Sequence, residues 1–268
     1  MASVPGFPRL GFGAVPLLAL GLLAAPAVAA DRISARVEVY GLMGLHVLRL
    51  HTQLEEAGDR YSIAVDYATT GVAGLVVDQS TRAEARGRIT AVSPQPESFR
   101  SNTRRNGVER HNRVEYRPDG TVDGASNPPP EAPVPAEAAR GTVDNLTAYF
   151  RLERQLVAKK TCNLTVPVFD GRHRYDLVFE DAGEEKLESD GGQKWEGTAI
   201  ACKMTRHLKG VPDDEEGEGA RRGTIWYAPL LPGDVMVPVR MQLKTQIGTV
   251  DAYLAEVHGR GVDLQLME

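Results

Sequence analysis

The chain has 268 residues, 42% of them hydrophobic and 25% charged, an ordinary globular composition that excludes wholesale disorder, a collagen-like repeat and a multi-span membrane protein. Lys and Arg total 31 against 36 Asp and Glu, a formal net charge of −5, so no global positive field gathers nucleic acid or anionic lipid.

Residues 1–30 carry one charge, Arg9, ahead of an apolar stretch from Leu10 to Ala25 and the small-residue run Pro26-Ala27-Val28-Ala29-Ala30. This is the pattern of a secretory signal peptide, with the cut expected after Ala30 and the bond after Ala29 as the alternative. The apolar core is short beside the roughly 20 residues of a membrane-spanning helix, and no cysteine lies near the cut to take a lipid. An exported, soluble chain is expected, with residues 31–268 forming a single antiparallel β domain. In an oxidising compartment Cys162 and Cys202 can form the one intramolecular disulfide that two cysteines allow.

The first clear element is Arg60 to Tyr67, where Tyr61, Ile63, Val65 and Tyr67 alternate with Arg60, Ser62, Ala64 and Asp66. A period of two is that of a half-buried strand, and burial of one face implies antiparallel pairing. Asn106-Gly107 predicts a two-residue hairpin between Ser98–Arg105 and Val108–Arg117, because both turn positions need positive φ. Residues 127–140 hold five prolines and read as an extended loop. Asp144 then caps a helix whose Leu146, Tyr149, Phe150 and Val157 lie near one face and pack on the sheet.

Asp170-Gly171 predicts a second two-residue hairpin, joining Leu164–Phe169 to Arg172–Phe179, with His173, Tyr175, Leu177 and Phe179 on the apolar side. His173 there reads as a hydrogen-bonded core histidine. Asp213, Asp214, Glu215, Glu216 and Glu218 form an acidic run within residues 212–219, read as a solvated loop. Val235, Val237, Val239, Met241 and Leu243 alternate once more. Pro238 cannot donate to a ladder, so this strand is expected at an edge or bulged. About a dozen strands and one short helix make the expected fold mainly β, a large curved antiparallel sheet in the form of a half-barrel, barrel or β-spiral.

Chemistry is sparse. No nucleophile elbow, phosphate loop, His-Glu-x-x-His pair or dinucleotide fingerprint occurs, and the six histidines, among them the surface positions His51 and His111, have no metal-ligand spacing. No catalytic residue, metal ligand or cofactor is assigned, and nucleic acid is not an expected partner. Arg100, Arg104, Arg105, Arg110, Arg113 and Arg117 gather on one hairpin, read as a solvent-facing charged hairpin or, alternatively, as a seat for an anionic partner. Trp195 and Trp226 read as core anchors of a one-sided sheet.

Taken in order, Val39-Tyr40-Gly41-Leu42-Met43-Gly44, Tyr61, Gly71, Leu75, Asp144, Cys162, Val168-Phe169-Asp170-Gly171-Arg172-His173-Arg174-Tyr175-Asp176, Cys202, Ile225-Trp226-Tyr227 and Pro238-Val239-Arg240 resemble an exported proteobacterial family, domain of unknown function thirty-one-oh-eight. The resemblance runs from about Val37 to Val257. It implies a periplasmic antiparallel β protein with no established reaction. The functional expectation is a non-enzymatic protein whose concave face binds an apolar or amphipathic envelope component or supports envelope integrity. The alternatives are a periplasmic hydrolase acting on cell-wall or lipid material, and a structural or assembly partner.

Overall fold

A computed structural model describes residues 1–2, 30–210, 222–245 and 248–268. The signal-peptide stretch, apart from its flanking residues, and the acidic loop at 212–219 lie outside the described residues. Ala30 is exposed and immediately precedes the first strand.

Among the described residues fourteen strands form one antiparallel sheet. The first seven are a meander: β1 (Asp31–Tyr40), β2 (His46–Ala57), β3 (Arg60–Thr69), β4 (Gln79–Ile89), β5 (Pro94–Arg105), β6 (Val108–Tyr116) and β7 (Val122–Asn127). Short helices α1 (Gly71–Val76) and α2 (Ala136–Ala139) interrupt the connections, and α3 (Asn145–Lys159) follows. The chain then runs back through β8 (Leu164–Phe169), β9 (Arg174–Leu187), β10 (Gly197–Leu208), β11 (Arg222–Leu231), β12 (Val235–Thr245) and β13 (Gly248–Gly259), which pairs with β1. β14 (Val262–Gln265) adds to β13. The fold is therefore mainly β with a curved sheet as expected, and among the described residues it has three short helices rather than one.

The ladder does not close, since β7 and β8 end the strand order without pairing. Side chains bridge the seam instead. The Phe169 ring lies on the backbone of Gly124, where any Cβ would sit 2.3 Å from it, and Tyr116 Oη donates to the Phe169 carbonyl at 3.2 Å. Arg172 reaches across to the Pro128 carbonyl at 3.0 Å.

Helix α3 fills the concavity. Asp144 caps it as expected, accepting from the Thr147 amide at 2.8 Å, and Lys160 ends it in the left-handed region at φ 53°. Ala148, Leu152 and Leu156 pack with Val166, Leu177, Phe179, Ile225, Tyr227 and Met236 from the second half of the sheet. On its other side Phe150 meets the Tyr61 ring of β3, with centroids 5.1 Å apart. Gly87 makes room for that ring, because a Cβ there would lie 2.7 Å from Tyr61 Oη.

The hairpin at Asn106-Gly107 forms as expected, with φ of 47° and 79° and Arg105 opposite Val108. The one at Asp170-Gly171 differs. Phe169 pairs with Arg174, leaving four loop residues, because the Asp170 carboxylate accepts from the amides of Arg172 and His173 and folds the chain into a wider turn. His173 consequently sits in the loop, its side chain 39% exposed and 3.6 Å from Asp170, and is not a core histidine. Strand β12 is internal, and Pro238 is accommodated by a bulge between the Trp226–Arg240 and Tyr227–Pro238 pairs. The bulge also breaks the alternation read from sequence: Met236, not Val237, joins the cluster beneath α3, while Val237 pairs with Ala228 in a second cluster.

That bulge separates β12 from β13 below Arg240, exposing ladder carbonyls that need partners. Gln193, only 4% exposed, supplies them. Its amide nitrogen donates to the carbonyls of Val239 at 2.8 Å and Leu254 at 2.7 Å, stitching the gap from a segment outside the sheet.

Candidate functional site

Between α3 and the inner face of β1–β3 and β11–β13 lies a cleft of about 340 Å³. Its sheet wall alternates inward as the strand pairing dictates. Ile33, Ala35 and Val37 stand opposite Leu54, Thr52 and Leu50, which in turn oppose Ile63, Val65 and Tyr67. Ile225, Met236, Met241 and Leu243 are among the residues that extend that wall. The helix wall is the stripe Asn145, Leu146, Tyr149, Phe150 and Glu153. Apolar walls of this extent and a volume above about 300 Å³ are the features of a small-molecule site.

Two polar side chains interrupt the apolar lining of the helix wall. Asn145 Oδ1 is buried without a hydrogen-bond partner. Glu153 is half-buried on the cleft wall, and desolvation, reinforced by the nearby Glu56 carboxylate, pushes its carboxyl up to about 8. Glu56 itself lies 3.6 Å from Arg154. Desolvation pushes the Tyr149 phenol up to about 12 and raises that of buried Tyr227, so both hydroxyls stay protonated at neutral pH. Sequence reasoning missed Asn145 and Glu153. The available signal was two polar residues spaced by eight on the same helical stripe as Tyr149.

Beside the cleft a hydrogen-bonded chain runs from Tyr61 Oη through Thr147 Oγ1, 2.8 Å away, to Asp144 Oδ2, a further 2.6 Å. Because the Thr147 hydroxyl donates to Asp144, Tyr61 donates to Thr147. Burial pushes Asp144 up to about 6. All three residues are 3% exposed or less, so the chain fixes α3 against β3 and β4 and presents nothing to a substrate.

The arginines of the β5–β6 hairpin do not form one basic face. Strand alternation and register send Arg100, Arg104 and Arg113 to the outer side and Arg105 and Arg110 to the inner side. The outer set is interleaved with acids: Arg104 lies 3.5 Å from Asp78, Arg113 3.4 Å from Glu115, and Arg117, just beyond the strand, 3.9 Å from Asp123. His51 and His111 are exposed as expected and line a shallow polar groove on that outer side with Arg49, Arg82 and Arg104.

Trp195 and Trp226 are half-buried at the margin of the second cluster rather than deep anchors. Trp226 Nε1 donates to Glu185 at 2.7 Å, and the Arg240 guanidinium lies over the Trp226 and Tyr253 rings, 5.7 and 5.4 Å from their centroids. Cys162 and Cys202 are disulfide-bonded with Cα atoms 5.6 Å apart, tying the chain after α3 to β10. Among the described residues no helix is long and apolar enough to cross a membrane, and no three His, Cys, Asp or Glu side chains converge as a metal set.

One end of the sheet has a different character. Met43 and Leu45 from the β1–β2 connection, Leu75 and Val76 from α1, and Val108 beside the β5–β6 turn are all more than half exposed. The last two connections are joined by reciprocal bonds between Asp78 and Asn106.

Against known proteins, the family described as protein of unknown function DUF3108 matches residues 35–255. The chain belongs to the DUF3108 family. This fold of a DUF3108 member is similar to a crystal structure of a beta-barrel-like protein of domain of unknown function DUF1849 from Brucella abortus. The TM-score is 0.52 at 11% sequence identity, over 88% of this chain and 99% of that one. At that identity the likeness concerns the fold alone. No curated protein matches this DUF3108 chain.

Proposed function

We propose that this protein is an exported, non-catalytic binding protein of the cell envelope, periplasmic in location, whose cleft beneath α3 holds an apolar or amphipathic envelope component. The observation that carries the reading is the cleft itself, about 340 Å³ of space whose sheet wall is almost wholly apolar. Apolar surface left uncovered inside a fold gains from a chain that excludes water from it. The disulfide between Cys162 and Cys202 is consistent with export. A hydrolase would need a nucleophile with its base on the cleft wall, and among the described residues the lining holds one carboxyl, Glu153, and no histidine.

Native mass spectrometry of the chain purified from its own envelope tests this. A lipid-like adduct is expected, and it is lost when Ala35→Trp fills the cleft from β1. Repeated preparations with no such adduct would count against the reading. A second reading, an assembly partner, is favoured by the exposed apolar rim of Met43, Leu45, Leu75, Val76 and Val108. It predicts that a Leu75→Ser, Val76→Ser variant leaves envelope complexes on native gels while its adduct is unchanged.

A further inference from the structure

The chemistry of the cleft lining restricts the head group of its occupant, a point that rests on reading the cleft as an amphiphile site. Among the described residues no lysine, arginine or histidine lines it, and its one ionisable acid is Glu153. At the first turn of α3 the Asn145 side-chain oxygen is a buried acceptor with no donor. Eight helical residues, about 12 Å of rise, separate the two groups, with Tyr149 and Phe150 between them. The helix wall thus places an acceptor oxygen, that of Asn145 and that of the Glu153 carboxyl, at each end of an apolar stretch, and no cation to neutralise an anion.

We propose that the cleft selects amphiphiles whose head groups donate hydrogen bonds and carry no negative charge, an alkylammonium or a hydroxyl-bearing monoglyceride, and that it discriminates against fatty carboxylates. A carboxylate brought into the cleft meets no cation in its lining among the described residues, and Glu56, whose charge already reaches Glu153, opposes it where water is scarce. An ammonium supplies three donors and pairs with the ionised Glu153, whose proton leaves to solvent. A hydroxyl head satisfies Asn145 without any change of charge. Desolvation holds the Glu153 proton up to about pH 8, the response of a carboxyl that lacks such a partner.

Isothermal titration at pH 7, below the critical micelle concentrations, tests the selection on the whole chain with dodecylammonium, monolauroylglycerol and dodecanoate. Dodecylammonium and the monoglyceride are expected to bind, dodecanoate about tenfold or more weakly. Glu153→Gln, checked for an unchanged circular dichroism spectrum, is expected to weaken dodecylammonium by about tenfold while sparing the monoglyceride. Asn145→Leu is expected to weaken the monoglyceride. Equal affinity for dodecanoate and dodecylammonium, or unchanged dodecylammonium binding in Glu153→Gln, overturns the head-group selection and leaves the cleft reading standing. Binding of none of the three overturns the cleft reading itself.

Discussion

Replacing Glu153 with glutamine separates the cost of an unpaired acid in the cleft from the packing of α3. The folded chain holds the Glu153 proton to about pH 8, against an ordinary value of 4.5, so between those values the folded state binds more protons than the unfolded state. Stability therefore falls as pH rises through that window, and the penalty is absent below it. At about 1.4 kcal/mol per unit the full displacement would amount to about 5 kcal/mol. Glu153 is only half-buried, so water in the cleft screens it, and about 2 kcal/mol is the expected size. Asp144, raised to about 6 by burial, contributes in the same direction in both proteins and cancels in the comparison. Urea unfolding at pH 5 and pH 8.5 is the assay. The two proteins should differ little at pH 5, near the foot of that window, with Glu153→Gln more stable by about 2 kcal/mol at pH 8.5. Parallel pH profiles, or a variant less stable at the higher pH, would refute an unpaired, desolvated acid at this position.

Three further variants test the scaffold. Gln193→Leu leaves the Val239 and Leu254 carbonyls unpaired and should cost about 2–4 kcal/mol in denaturant melts. An unchanged midpoint would mean that water closes the gap between β12 and β13 equally well. Removing the Cys162–Cys202 disulfide, across a sequence separation of 40, should lower stability by up to about 4 kcal/mol, measured by urea unfolding of the double alanine variant. Gly124→Val drives a side chain into the Phe169 ring, so amide exchange in β7 should accelerate relative to β2 and β3. Uniform protection across the sheet would show that the seam does not depend on that contact.

Local chemistry was legible wherever one residue decides a conformation. Asn106-Gly107 and the Asp144 cap are of this kind, because positive φ and a side-chain acceptor are properties of the residues themselves. Asp170-Gly171 has similar letters but a different outcome, since the Asp170 carboxylate found two loop amides and widened the turn. The β12 alternation misled for a comparable reason: the bulge beside Pro238 depends on the pairing partner β11, which the strand's own pattern does not encode. The hairpin arginines were counted correctly but not divided between faces, a matter of register. Glu153 and Asn145 stayed hidden because their meaning depends on where α3 lies across the sheet. That placement is set by Tyr61, Gly87 and Thr147, far apart in the chain.

Methyl-resolved NMR during titration with monolauroylglycerol asks whether the space beneath α3 is a binding site. A site there confines the shifts to Ile33, Val65, Ile225 and Met236 on the cleft wall and loses them in Ala35→Trp. Shifts confined to the exposed rim at Leu75 and Val76, or none at saturating amphiphile, would contradict it.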